Sequence, residues 1–598
     1  METMVTRLSP EHERHLAPIL IGGGGPDDYD DALRPRLEQR GGQFFDRLRR
    51  EHPNTPLLLL TMLRTKGERL LAEVARSRDI ELIVVQPWPT CCQGLPEEAK
   101  QAVAELERTA RHVECLAAHQ PMAGEEGQCL ERAAGFIVGH SQVLLLLWDG
   151  EDRGEPAAGD VAQLAQFRLR GVPLQQQQAD EALVSGDVGV LYRIHTPRGA
   201  AAKTKVGNAT LQSPQFAARR FRRRLARREK LVCAAIERFN RDARRLIQEE
   251  GGEVLAKPID GFEPGSPEPP MTAREAWAKY LLADSLAMRY QRFGRRALLV
   301  LCILAFVASC ALDLGPWFAK STLWPRFGQF FAWLLAPAIY YATRGGLRLM
   351  ALWGHGFRSR WIDDRAVAEG QRVATYSRLA GNRHSVARHY RRIWRSQLGW
   401  IPDTLWSWNL LTADGSQAGN ATTQPYAGPI LDGWVLKERD YFETRAREVE
   451  AQLHRRRTWA VAALAVGAIF TLWSALPQVG PKLGLALAGP MEMAVHALGP
   501  WAAPWLQIVE VLLRSLLSLG TLILAYTQSE SLAKLVDQYD SMGECFTRAC
   551  RRLQQCQAEG NAEEFRALID DLAREALTEN AHWVLARRDA QGIIPVAN

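Results

Sequence analysis

The sequence predicts an α/β domain built on a parallel sheet, followed by an α-helical membrane region. That region is read as two transmembrane hairpins, four transmembrane helices in all, with long cytoplasmic helices. Three observations carry this reading. Between residues 16 and 200, short apolar runs alternate with helix-patterned stretches. Two apolar runs of 16 residues, Ala297–Leu312 and Phe327–Ala342, are bounded on their outer sides by Arg295-Arg296 and by Arg344 and Arg348. A second pair, Trp459–Leu476 and Trp505–Tyr526, lies behind Arg455-Arg456-Arg457, and Arg296 to Arg457 is a spacing of 161 residues. The mean hydropathy of −0.20 over 598 residues keeps the membrane part a minority of the chain.

The opening METMVTRLSPEHERH has no apolar core, so no signal peptide is expected and the N-terminal region should begin in the cytoplasm. Strands are expected at Ala17–Ile21, Pro56–Leu63, Glu81–Val85, Val143–Leu147 and Val188–Ile194. Helices are expected at Glu68–Arg76, Pro96–His119 and Asp160–Arg170. Continuous apolar strands alternating with helices imply a parallel sheet covered on both faces. Ligands bind beyond the carboxyl ends of such strands. Those ends carry Gly22, Gly23, Gly24 and Gly25, then Thr61, Trp88, and Trp148-Asp149-Gly150. The four glycines are read either as an anion cradle, because glycine lets backbone N–H groups approach a phosphate, or as a plain flexible loop.

Residues 201–271 read as a basic helical connector. Arg219, Arg220, Arg222, Arg223, Arg224, Arg227, Arg228 and Lys230 place eight basic residues in twelve on a helix continuing to about Glu249. A solvated face, anionic lipid and nucleic acid are the readings open to it. A Pro/Gly-rich break, Gly261–Pro270, ends this unit. Residues 272–400 read as the first hairpin with its flanking helices, broken between its apolar runs at Asp313-Leu314-Gly315-Pro316. Residues 401–435 read as a Trp-rich linker, and 436–598 as the second hairpin with C-terminal cytoplasmic helices. The arginine distribution puts both termini on the cytoplasmic side of an inner membrane. Residues 477–504 are left as external, re-entrant or spanning. In the fourth run, Glu510 and Arg514 stand one helical turn apart, either lining a pore between subunits or forming a structural ion pair. Four helices per chain are too few to enclose a pore, so a pore reading requires a homo-oligomer. Ten cysteines without metal-ligand spacing are read as reduced, and no metal or cofactor is expected.

Several motifs in order resemble a known family. Leu60-Thr61-Met62-Leu63 with Gly67-Glu68-Arg69-Leu70, Pro87-Trp88-Pro89, Gly135 through His140-Ser141 to Trp148-Asp149-Gly150, and Ile194-His195-Thr196-Pro197-Arg198 resemble a SLOG domain. That is a Rossmann-like fold related to the LOG phosphoribohydrolases and DprA. Ala283-Asp284-Ser285-Leu286-Ala287 with Tyr290-Gln291, Trp361 with Asp364-Arg365, and Glu575-Ala576-Leu577 with Glu579-Asn580 and Trp583 resemble SLATT, the two-transmembrane effector region of bacterial conflict systems. The resemblance implies a cytoplasmic sensor of a nucleotide or nucleotide-derived messenger that gates an oligomeric pore or disrupts the bilayer in anti-phage defence. The strand ends and the motifs beside them are the expected ligand site, at Gly22–Gly25, Thr61, Gly67, Glu68, Arg69, Trp148, Asp149 and Gly150, with Asp149 or Glu68 on ribose hydroxyls as acidic residues at strand ends can be. The related hydrolases carry a catalytic Glu on the helix that corresponds to Asp160-Val161-Ala162-Gln163, where this chain has none. A membrane-tethered N-glycosidic hydrolase and a membrane anchor holding nucleic acid on the basic helix are the alternative functions.

Overall fold

The computed structural model describes residues 8–122, 124–151, 156–173, 188–197, 208–214, 219–320, 356–382, 384–390, 397–412, 426–479, 493, 497–499, 503–529 and 532–589. The chain divides into two compact units. One comprises Met1–Leu286, Asp364–Trp434 and Arg552–His582, and the other Ala287–Asp363, Val435–Arg551 and Trp583–Asn598.

The first unit is built on the expected sheet. Its strands are β1 (Ile19–Gly24), β2 (Leu57–Thr61), β3 (Glu81–Gln86), β4 (His112–Cys115), β5 (Val143–Trp148), β6 (Leu191–His195) and β7 (Thr210–Gln212). They lie in the order β4-β3-β2-β1-β5-β6-β7. All neighbouring pairs are parallel except β6 with β7. β1, β2 and β5 are buried along their whole length, which is why they read as unbroken apolar runs. Helices α1 (Arg34–Glu51), α2 (Lys66–Arg76), α3 (Glu97–Thr109), α4 (Glu126–His140) and α5 (Val161–Arg170) make the crossovers. The expected helix Pro96–His119 stops at Thr109, and the chain then adds the short edge strand β4. β4 is only partly buried, so it lacks the apolar signature of the central strands.

α6 (Arg219–Glu250) packs on this domain. The buried amide of Asn240 brackets Ala17, accepting from its N–H at 2.9 Å and donating to its carbonyl at 2.7 Å. Glu237 accepts from the Thr55 hydroxyl at 2.6 Å. The expected Trp-rich linker is instead a buried helix, α9 (Trp400–Thr412), with α8 (356–379) preceding it. Trp408 is fully buried, and its indole N–H donates to the Leu16 carbonyl at 2.9 Å. Tyr376 stacks on Trp434 at 5.6 Å, and its hydroxyl donates to the Gly433 carbonyl at 3.0 Å. Asn580 accepts from the Tyr390 hydroxyl at 3.1 Å, so the closing helix belongs to this core.

In the second unit, α10 (Leu436–Val479) and α11 (Ala503–Ser529) lie against each other. Glycines set their approach: a methyl on Gly520 would meet Leu464 Cγ at 2.6 Å, and one on Gly467 the Leu517 nitrogen at 2.9 Å. At the other end of α10, Phe442 contacts Tyr539 and Phe546 of α12 (Leu532–Glu559), each at 5.7 Å. Trp583 of α13 (Ala562–Asp589) meets Trp361 edge-on at 5.5 Å.

The expectation of four transmembrane helices is overturned. Among the described residues, no helix is long and apolar enough to cross a membrane. The apolar stretches are parts of longer helices that also carry charge. α10 begins with a charged half ending in Arg455-Arg456-Arg457, and α11 includes Glu510 and Arg514. The multi-pass inner-membrane placement, with both termini cytoplasmic, falls with it. The expected break at Asp313–Pro316 is likewise absent: α7 (Met271–Lys320) runs through it without interruption. Phe327–Ala342, Arg344, Arg348 and most of 477–504 lie outside the described residues.

Candidate functional site

β1 and β5 are neighbours in space but far apart in sequence. The chain moves outward from β1 to β4 and returns beyond β1 to β5. Strand order therefore reverses between them, the kind of position at which open α/β sheets bind ligands.

Gly22, Gly23 and Gly24 are residues of β1, not a loop. Their backbone is paired with β5, Gly22 also with β2, so it is committed to the sheet and does not form an anion cradle. Small size is what the sheet requires there. A methyl on Gly22 would meet Leu144 at 2.7 Å, and one on Gly24 would meet Leu146 and Leu164 at 2.9 Å. Gly25 follows the strand and touches Gly67, where a methyl on either would approach the other's backbone to 2.8 Å.

That contact seats the β1–α1 loop on the start of α2, and the first-turn N–H groups of α2 are consumed there. Lys66 N–H donates to Asp27 Oδ1 at 2.8 Å, Gly67 N–H to the Pro26 carbonyl at 2.9 Å, and Glu68 N–H to Thr65 Oγ1 at 3.2 Å. Glu68, 1 % exposed, accepts from the Arg64 and Thr65 N–H groups and completes a capping box with Thr65. Burial pushes its carboxyl up to about 7 against the pull of those two hydrogen bonds. Arg69 Nη1 donates to the carbonyls of Leu63 and Arg64 at 3.2 and 2.7 Å. Gly67, Glu68 and Arg69 thus build the β2–α2 loop, and the expected ribose contact from Glu68 is replaced by a structural role.

The loop they build is strained. Leu63, fully buried, has φ of 60°, a left-handed conformation that costs a non-glycine residue about 1–3 kcal/mol. The next residue, Arg64, sends its guanidinium over the Trp88 ring at 6.0 Å, and its Nε has no partner among the described residues. Trp88 packs with Cys91 and Leu130 and against Ala158 of the β5–α5 loop, so this cluster reaches across the carboxyl edge. The buried Thr90 hydroxyl there is also without a partner among the described residues. Cys91 and Cys92 hold their sulfurs 3.7 Å apart beside it.

At the end of β5, Trp148 is 7 % exposed and its indole N–H meets no acceptor among the described residues. An orphaned buried donor costs about 1–3 kcal/mol, so such groups ask for an explanation. The Asp149 carbonyl accepts from His195 Nδ1 at 3.2 Å, and its carboxylate accepts from Glu151 N–H at 3.1 Å. Gly150 turns the chain at φ of 87°, which favours glycine. Thr61 is also fully buried, its hydroxyl without a partner among the described residues. Leu60 and Met62 join the Trp148 core cluster, so strand alternation puts Thr61 on the opposite face from the indole.

At the start of α5, Gln163 accepts from Gly159 N–H at 2.7 Å and donates to Glu131 at 3.2 Å. Glu510 and Arg514 lie on α11, one turn apart, and their side chains are outside the described residues. Of the basic run, Arg219 and Arg220 belong to α6 without described side chains, while Arg223, Arg224, Arg227 and Lys230 are exposed and Arg222 and Arg228 half-buried. Among the described residues, no group of three or more His, Cys, Asp or Glu side chains is placed to hold a metal ion. Sequence reasoning did not name Arg64 or Thr90 among the candidate residues; an arginine and a hydroxyl just beyond strand ends were the available signal.

No protein-family model and no curated protein matches this chain.

Proposed function

We propose that the α/β domain is the receptor for a nucleotide-type ligand held at the carboxyl edge of its sheet, at the β1–β5 reversal. The observation that carries this reading is a set of polar atoms beyond the strand ends with no partner among the described residues: Arg64 Nε after β2, over the Trp88 ring, the Thr90 hydroxyl after β3, and Trp148 Nε1 at the end of β5. A guanidinium suits a phosphate, which it can grip with two parallel hydrogen bonds. Indole rings offer flat apolar surface for a base. Asp149, where the strand order reverses, is placed for a ribose hydroxyl. The resemblance to SLOG domains supports the same ligand class.

Binding there has a route to the rest of the unit. Leu410 of α9 belongs to the same apolar cluster as Trp148, and Trp406 Nε1 donates to His140 Nε2 of α4 at 3.1 Å. A ligand that moves the Trp148 indole acts on the packing of α9, and it shifts the conformational balance by its differential affinity for the two packings. The pore that the gated-effector reading required is not part of this proposal, because its membrane-crossing helices are overturned. Hydrolysis is not part of it either, since the helix at Asp160–Gln163 offers no glutamate for it.

The test is isothermal titration of the full-length chain with a panel of mono-, di- and cyclic nucleotides, read in parallel by tryptophan fluorescence. One class is expected to bind and to change the fluorescence. Arg64→Gln should weaken that binding about tenfold or more, the usual effect of losing a charged hydrogen bond. A folded chain that binds no nucleotide overturns the reading.

A further inference from the structure

α6 spans 32 residues, and its buried side is fixed to the α/β domain by Leu225, Val232, Ile236, Phe239, Ala243 and Ile247. At 3.6 residues per turn, the diametrically opposite side carries Arg223, Arg227, Lys230, Ala234, Arg238, Arg241 and Arg245 within about 80° of arc. Six of those seven are basic, and no carboxylate shares the sector. Arg223, Arg227, Lys230, Arg241 and Arg245 are exposed. Among the described residues, none of Arg223, Arg227, Lys230 and Arg245 makes an ion pair. Arg241 has one weak contact, 3.6 Å from the largely buried Asp242. Elsewhere, some exposed helical arginines pair with a carboxylate one turn away, as Arg34 does with Glu38 and Arg548 with Glu544.

We infer that this face of α6 is a docking surface for the phosphate backbone of a nucleic acid duplex. From Arg223 to Arg245 the stripe runs about 33 Å at 1.5 Å per residue, close to the ~34 Å of one duplex turn. The charges form a line rather than a plane. An amphipathic helix that enters a lipid surface does so with its apolar side. Here that side is already buried against the sheet, and Leu231 is the one large apolar side chain exposed on α6 among the described residues. The contact is with phosphates only, so it is sequence-independent and strengthens as salt falls. This surface is separate from the nucleotide edge, so each reading can fail without the other.

The experiment is fluorescence anisotropy of a labelled 20-base-pair duplex with the full-length chain, titrated at several salt concentrations. Five phosphate contacts predict a log–log salt slope of about −4.5, a loss of about 10²–10³-fold between 50 and 200 mM salt. The triple variant Arg223→Gln, Arg227→Gln, Lys230→Gln should reduce the slope by about 2.7, and Arg241→Gln with Arg245→Gln by about 1.8. These side chains are at the surface, so thermal unfolding of the variants should match the parent. Duplex binding that the triple variant leaves unchanged overturns the inference, as does failure to bind duplex at low salt. Binding to phosphatidylserine vesicles by a chain that leaves the duplex unbound also overturns it and reassigns the stripe to lipid.

Discussion

A methyl group on Gly67 would stand 2.8 Å from the Gly25 backbone and 2.9 Å from the Pro26 carbonyl, with no flexible side chain to give way. A methyl on Gly23 would meet only Leu59 Cδ1 closely, at 2.9 Å, and a leucine tip can rotate. Gly67→Ala is therefore expected to destabilise the chain by about 1–3 kcal/mol, and Gly23→Ala by less. Urea unfolding of the two variants checks this; equal losses would mean that the loop contact is softer than its geometry. The Gly67 substitution should also weaken the proposed nucleotide binding, because it lifts the β1–α1 loop off α2. At this scale the run of four glycines was legible as special but not as strand. Glycine is permitted in a loop and in a tightly packed strand alike, and the collisions that distinguish them come from Leu144, Leu146 and Leu164, far away in sequence.

Among the elements, α13 is joined to the short helical turn Val386–His389 by charge. Asp570 accepts two hydrogen bonds from Arg388 Nη2, at 2.8 and 2.9 Å, and lies 3.4 Å from His389. Burial raises its carboxyl, but the hydrogen bonds and positive charge of His389 and Arg388 outweigh that and hold it at about 2. A carboxyl depressed in the folded state contributes stability that is complete above its ordinary 3.8 and is lost as pH falls through about 2. Asp570→Asn should therefore lower the melting temperature at neutral pH, with the gap to the parent closing between about pH 4 and pH 2. A gap that stays constant across that range would assign the loss to packing instead. Helix α9 offers a parallel test. Trp408→Ala should cost about 3–5 kcal/mol, since it empties a buried site and removes the bond to Leu16. A cost near zero would return residues 400–412 to the linker that their composition suggests.

For the whole molecule, the exterior of the second unit matters most. Trp459, Val461, Val466, Ile469 and Leu472 of α10 and Leu512 of α11 are exposed, several by more than half. So many large exposed apolar side chains on two helices packed together favour association over a monomer in water. The purified chain is expected to self-associate in aqueous buffer. Replacing Trp459, Ile469 and Leu472 with Glu should raise the monomer fraction, read by light scattering after gel filtration. A parent chain that is already monomeric would show that these side chains are covered in solution.

Local pattern by itself determined the parallel α/β domain, the position of most of its strands and the carboxyl edge as the place to look. Fully buried strands must be apolar along their length, and that requirement is written residue by residue. It also determined α6 and its charge. Pattern did not determine β4 and β7, which are short and only partly buried, or α9, whose tryptophans mark burial against partners that no local window contains. It overstated the apolar runs, because a window of 16 residues does not weigh the charged turns that continue the same helix. Only the tertiary structure decided the roles of Glu68 and Arg69, drawn inward to hold a strained loop, and of Arg64 and Trp148, left with unpartnered polar atoms at one edge. Such roles depend on which groups meet across the sheet, and that distance is set by the fold rather than by spacing along the chain.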